Sequence, residues 1–411
     1  MRLKQVFGLM IGLITAGCGN NSETFELQPG NWRGAIRTQG IEVPFNFEVM
    51  NDNGKYQMIL KNAGEELVLD ELKKENDSLV MIMHIFDSEL RAKLDGDSLK
   101  GYFIKNDVKN YRLPFGAAFN QSFRFEQADI TPTADYTGTY SSAFTNAEDT
   151  TQAVAILEQT GNKVTGTFLT PLGDYRYLEG NVVEGKLRLS VLDGNHVFLF
   201  SAEKKSGDSI IGEYLSGKSW KQVWKGKLNP NASLPDAGSL TILKPGFESF
   251  DFSFPDSEGI QLNSNDKRFK NKVVIIQLLG TWCPNCMDET KFLTEWYPKN
   301  KDRGIEVVGL AFEAKDDFAY ASGRVKKMTS KLAIPYPVLI AGNKDKKKAA
   351  EVLPMLQKVV AFPTTFYIGR DGKIKKIHTG FSGPGTGVYY ERFREEFNAT
   401  VNNLLKENAT K

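Results

Sequence analysis

The run Lys272-Val273-Val274-Ile275-Ile276-Gln277-Leu278-Leu279 is almost continuously apolar and passes directly into Gly280-Thr281-Trp282-Cys283-Pro284-Asn285-Cys286. An unalternating run of this kind suits a central strand covered on both faces. Beyond it, Met287, Phe292, Leu293, Trp296 and Tyr297 recur at helical spacing, so the chain has to turn from strand to helix within a few residues. Pro284 fits the first helical position, where a missing N–H is not needed. Cys283 is thereby placed at a helix N-terminus, and strands alternating with helices from about residue 245 predict a layered α/β domain there.

That placement has chemical consequences. Free backbone N–H groups and the helix dipole stabilise a thiolate and lower its pKa from about 8.5. Two intervening residues put the second sulfur within one helical turn, close enough to form and break a disulfide. Cys283 is expected to attack and Cys286 to resolve. The chain has three cysteines in all, and the third, Cys18, is distant. His84, His196 and His378 are scattered, and none stands at metal-ligand spacing beside the pair, so neither a metal nor another cofactor is expected. The competing class is a binding protein in which the pair is only a structural disulfide and a β-domain does the work.

These residues are similar to the thioredoxin superfamily, most closely its TlpA/ResA-like disulfide reductases, over roughly residues 245 to 405. Besides Trp282-Cys283-Pro284-Asn285-Cys286, the resemblance rests on Phe252-Ser253-Phe254 with Asp256-Ser257-Glu258-Gly259 as an opening hairpin. It also rests on Ala361-Phe362-Pro363-Thr364-Thr365-Phe366-Tyr367-Ile368 followed by Arg370-Asp371-Gly372-Lys373. It implies that Pro363, preceded by Phe362, is cis and faces the cysteines as a substrate contact, with Trp282, Pro284 and Asn285 flanking them. It also implies that Glu289 assists proton movement, although an acidic residue in a first helical turn is favoured by the dipole in any case. Asp288 reads as a solvated neighbour. The acidic residue that thioredoxin carries six positions before its first cysteine is replaced by Gln277. Pro284-Asn285 adds no positive charge and two carboxylates follow, which leaves the thiolate moderately stabilised and favours a reductase. The resemblance implies protein thiol and disulfide clients, apocytochrome c thiols among the candidates for cytochrome c biogenesis, and a membrane thiol relay as electron donor.

The other end of the chain is an address. Arg2 and Lys4 precede the apolar run Val6 to Ile14, too short for a stable span of roughly 20 residues, and then small residues before Cys18. Ile14-Thr15-Ala16-Gly17-Cys18 resembles a bacterial lipoprotein signal, which implies cleavage before Cys18, lipidation of that cysteine and an anchored protein facing the periplasm. Residues 1–17 are then the signal and 18–27 a polar tether. The net charge of +2 supplies no field to draw in nucleic acid.

From residue 28 to 228 the pattern is short alternating strands broken by turns such as Asn53-Gly54, Gly161-Asn162 and Asp193-Gly194. Weak internal similarity, Asn31-Trp32-Arg33-Gly34 against Asp135-Tyr136-Thr137-Gly138, suggests two β-meanders. Together they are expected to form an all-β domain, an up-and-down barrel or a sandwich. Its role is expected to be a spacer or docking platform rather than a ligand cavity, with Trp32, Trp220 and Trp224 as core aromatics. A linker, 229–244, separates it from the thioredoxin-like domain at 245–411.

Overall fold

The computed structural model describes residues 26–126 and 130–407. The predicted signal, Cys18 and most of the tether lie outside them. The β-rich region and the α/β domain follow one another as the sequence pattern predicts, but the β-region is two sheets and not one barrel or sandwich.

The first sheet has nine strands between Gly30 and Phe119, and the second has nine between Gly138 and Leu228. Each meander returns on itself. In each meander the opening strand pairs antiparallel with the closing one, Trp32 facing Phe119 in the first and Tyr140 facing Leu228 in the second. The second sheet closes into a barrel because Thr150–Thr160 also pairs with Lys163–Thr170. The first stays open. Its end strands, Glu65–Leu69 and Leu72–Glu75, are consecutive in the chain, and the Asp70-Glu71 link between them pairs with Lys331 and Lys327 of the α/β domain instead.

The barrel interior is filled by side chains. Phe168 stacks on Phe200 at 4.8 Å and meets Trp224 edge-on at 4.8 Å, with Phe144, Tyr175 and Tyr214 completing the cluster. Trp32 and Trp224 are fully buried, as predicted, but Trp220 is 51% exposed. It shares the inward parity of Trp224 but stands at the first position of its strand, Trp220–Leu228, beyond the packed layer.

The open sheet packs against the barrel wall, and polar groups join the two. The fully buried Arg124, on the segment between them, donates to the carbonyls of Ser190 at 2.9 Å and Lys61 at 2.5 Å. Asn62 donates to Leu192 O at 3.0 Å. Satisfying buried backbone acceptors in this way fixes one mutual orientation.

The α/β domain has a five-stranded sheet in the order Val338–Asn343, Ile305–Glu313, Val273–Leu279, Thr364–Ile368, Ile374–Thr379. The first three strands are parallel, Thr364–Ile368 runs antiparallel to the central strand, and Ile374–Thr379 runs antiparallel to Thr364–Ile368. All seven residues of Val273–Leu279 are buried, which is why the run is unalternating. Helices α1 (Pro284–Trp296), α2 (Phe318–Lys331), α3 (Lys346–Val352) and α4 (Val388–Lys406) complete the domain, and α4 buries Phe393, Phe397, Val401 and Leu404. Helix α3 ends at Val352, and Leu353 beyond it is buried.

Phe168→Ala should open a cavity among the barrel aromatics and cost about 3–5 kcal/mol. Urea unfolding followed by far-UV circular dichroism would show it as a lower midpoint, whereas an unchanged midpoint would mean that the barrel interior is not packed.

Candidate active site

Val273–Leu279 delivers the chain to α1 through Gly280-Thr281-Trp282, and this turn is held by a buried carboxylate. Glu313 accepts from the Thr281 N–H at 2.9 Å and the Thr281 hydroxyl at 2.7 Å. Burial pushes its pKa up, and the two Thr281 bonds counter part of that. Trp282 Nε1 donates to Phe312 O at 2.8 Å, and its ring meets Phe362 edge-on at 5.7 Å. Cys283 is the N-cap of α1, and its sulfur accepts the Cys286 N–H at 3.1 Å. Pro284 opens the helix, as the sequence predicts.

Cys283 and Cys286 form a disulfide with a Cα–Cα separation of 5.2 Å. The Phe362-Pro363 peptide bond is cis, and Phe362 O lies 3.5 Å from Cys283 Sγ. A disulfide sulfur carries no proton, so this is an approach and not a hydrogen bond. On reduction the same carbonyl would accept from a Cys283 thiol.

Behind the pair sits Glu289, fully buried. Its carboxylate accepts from Gln277 Nε2 at 2.8 Å and from the Thr365 hydroxyl at 2.7 Å, and Gln277 in turn accepts from Thr290. Burial raises its pKa to about 7, against the two hydrogen bonds, which favour the charged form. Gln277 thus does not leave the site without an acid. It orients a carboxyl supplied from the helix instead of the strand. A group with a pKa near neutrality can hold or release a proton under ordinary conditions.

Asp288 differs from expectation. It is buried, and both of its oxygens take Arg176 of the barrel, from Nε at 2.7 Å and Nη2 at 2.8 Å. The reason is tertiary: the barrel packs over the start of α1, and the charge would be stranded there without a partner. Arg176 Nη2 also bonds Glu65 of the open sheet. Burial alone would draw the Arg176 pKa down, but Asp288 and Glu65 hold its proton well above the usual value. Asp174, also in the barrel, accepts from Asn285 Nδ2 through its carbonyl at 3.0 Å and from Gly383 N through Oδ2 at 2.6 Å. Asn195 donates to Trp282 O at 2.6 Å.

The structure therefore brings Trp282, Cys283, Pro284, Asn285, Cys286, Glu289, Phe362 and Pro363 together, and Cys18 lies outside the described residues. Sequence reasoning missed Glu313, Thr365, Asp174, Arg176, Asn195 and Glu65. Nothing in the composition around Arg176 separates it from a solvated surface arginine. Among the described residues no cluster of His, Cys, Asp or Glu is arranged to hold a metal ion, and no helix is long and apolar enough to cross a membrane.

Residues 244–390 match the Redoxin family model. The thiol-disulfide oxidoreductase ResA of Bacillus thuringiensis subsp. konkukian is 32% identical over 129 residues, which are 31% of this chain and 66% of that protein. ResA of Geobacillus thermodenitrificans is 29% identical over 140 residues, 34% of this chain and 72% of that one. The chain thus spans just under two thirds of the first of these relatives. A crystal structure of a putative thiol:disulfide interchange protein DsbE from Chlorobium tepidum aligns with 39% of this chain and 99% of its own at 22% identity, with a TM-score of 0.30.

Because the folded pKa of Glu289 is raised above its ordinary 4.5, the native state binds that proton more tightly than the unfolded state between the two values. Stability from this group is present below about pH 4.5 and is lost as pH rises through about 7, roughly 3 kcal/mol in total. Glu289→Gln should flatten the fall in stability of the oxidised protein between about pH 5 and about pH 8 by that order. Urea titrations at both pH values check it, and identical slopes in the two proteins would contradict the assignment.

Proposed function

We propose that this chain, whose C-terminal domain belongs to the ResA/TlpA-like branch of the thioredoxin superfamily, is a thiol-disulfide oxidoreductase that reduces protein disulfides in the bacterial cell envelope. The observation that carries this reading is the Cys283–Cys286 pair at the N-terminus of α1, with the Cys286 N–H aimed at Cys283 Sγ and a buried Glu289 behind it.

In the reduced protein, the Cys283 thiolate attacks one sulfur of a client disulfide. A Cys283–client bond forms and the other client sulfur leaves as a thiolate. Cys286, once deprotonated, attacks Cys283 Sγ, restores the disulfide and releases the second client sulfur. Two electrons pass to the client and two protons follow; Glu289, buried one turn beyond Cys286 on the same helix, is the group we assign to take the Cys286 proton. Cis-Pro363 and Phe362 lie beside Cys283, where the mixed disulfide would form, flanked by Trp282, Pro284 and Asn285.

The direction of flow rests on the charge around the pair. Pro284-Asn285 brings no cation, and Glu289 titrates near neutrality. Asp288 does not count as a free negative charge, because Arg176 neutralises it. A thiolate stabilised by helix N–H groups but by no adjacent cation between the cysteines makes a moderately reducing couple. Cleavage before Cys18 and its lipidation would tether the domain to the membrane facing the periplasm, where apocytochrome c thiols and misformed disulfides are client classes and a membrane thiol relay is the electron source. A purely structural disulfide, with binding inside the β-region, is disfavoured by the filled barrel interior.

The equilibrium potential of the pair, measured in dithiothreitol and glutathione buffers, should fall below about −220 mV, while a value near −120 mV would make the protein an oxidant. Cys286→Ser should accumulate a mixed disulfide with client that Cys283→Ser cannot form. Non-reducing electrophoresis distinguishes the two, and a disulfide inert to small thiols would return the structural reading.

A further inference from the structure

Arg176 is a barrel residue with an almost fully buried side chain, yet its partners belong to the other two units: Asp288 on α1 and Glu65 on the open sheet. It holds a positive φ of 57°, a conformation rare outside glycine, which turns the segment Gly173–Tyr177 down onto the redox helix. Around it, the barrel occupies the groups that flank the cysteines. Asp174 takes the Asn285 amide and the Gly383 N–H, and Asn195 takes the Trp282 carbonyl. The fit leaves no room. A Cβ on Gly173 would stand 2.9 Å from Asn285 Nδ2, and one on Gly380, 2.9 Å from the Leu172 carbonyl carbon. Beneath this layer Cys283 is 5% exposed and Cys286 is not exposed at all.

Disulfide exchange requires the attacking, central and leaving sulfurs to approach a line. A polypeptide client must therefore lie along the surface formed by Trp282, Asn285 and the Gly380–Gly383 loop, whose Gly380 N–H bonds Pro363 O, and those are the groups the barrel already binds. Resting on the oxidoreductase reading above, we propose that Arg176, Asp174 and Asn195 are specificity-determining positioning residues: they hold the barrel as a cover over the redox pair that excludes polypeptide disulfides until it is displaced, while small thiols need only a slight opening.

The chemistry of the contact fits a releasable cover. An ion pair buried between units loses hydration on closing and regains it on opening, so it specifies the docked geometry without making it permanent. The covering contacts next to the cysteines are polar and point to main-chain or amide groups, the same groups an extended client segment would satisfy in their place. A client or partner that pairs with Trp282 O and Asn285 and leaves Asp288 solvated therefore competes directly with the barrel.

The test uses the full chain and compares two rates in each protein: oxidation of the reduced pair by oxidised glutathione, and by insulin as a protein disulfide. The ratio of the two cancels any shift in the redox potential caused by the lost charge. Arg176→Ala should raise the insulin-to-glutathione ratio by roughly tenfold or more, because hydrogen bonds to a charged group are lost. Arg176→Lys, which keeps the charge, should restore part of the closure. Should Arg176→Ala fail to fold, Asn195→Ala removes a single bond to Trp282 O and should raise the ratio about three- to tenfold. A ratio unchanged in the folded variants overturns the cover while leaving the oxidoreductase reading intact. A pair that reacts with neither oxidant in any variant overturns both.

Discussion

The strand Val273–Leu279 is buried on both faces and has to end at a helix N-terminus, and the rest of the site depends on that constraint. A fully covered strand cannot drift in register without moving its apolar residues against both layers, so the point where it hands over to α1 is fixed. Cys283 caps the helix at that point, and its sulfur receives a backbone N–H that would otherwise lack a partner. Glu313 fastens the turn from the neighbouring strand through Thr281. The Cys283 sulfur is thus positioned by main-chain geometry and not by a flexible loop.

Buried charge is arranged around this frame in two ways. Glu289 has two neutral donors and no cation, so burial dominates and its carboxyl is poised near neutral pH. Asp288, one residue earlier, faces away from Glu289 and meets a guanidinium through both oxygens. Consecutive residues on a helix point about 100° apart, which lets one carboxyl enter the domain while the other enters the interface. One is a buried carboxyl among neutral donors and the other a joint between units.

The β-region shows how a small difference in pairing changes a sheet. Both meanders bring first and last strands together, but only the second completes its ring, around stacked Phe168, Phe200 and Trp224. A filled ring is a rigid block. Its loops at Gly173–Tyr177 and Asp193–His196 are the parts that reach the redox pair, and the open sheet supports them from the side through Glu65, which takes Arg176, and Ser88, which donates to Gly194 O.

Much of this was legible from residues alone, where the signal is local. The apolar run at 273–279, the Trp-Cys-Pro-Asn-Cys turn, the helix stripe Phe393-Phe397-Val401-Leu404 and the alternation across residues 28–228 each follow from periodicity, and periodicity is set by the backbone. Whether two meanders share a barrel depends on which strands meet across a hundred residues, and no local pattern carries that. The same limit hid the surroundings of the site. Arg176, Asp174 and Asn195 look like ordinary polar loop residues until the barrel, the open sheet and the α/β domain are brought into contact, and Trp220 looks like Trp224 until its place at the end of the strand is known. Sequence by itself determined the chemistry, because the helix terminus and the cysteine spacing are short-range. Tertiary structure alone decided how that chemistry is enclosed, because burial of a charge is a property of everything packed around it.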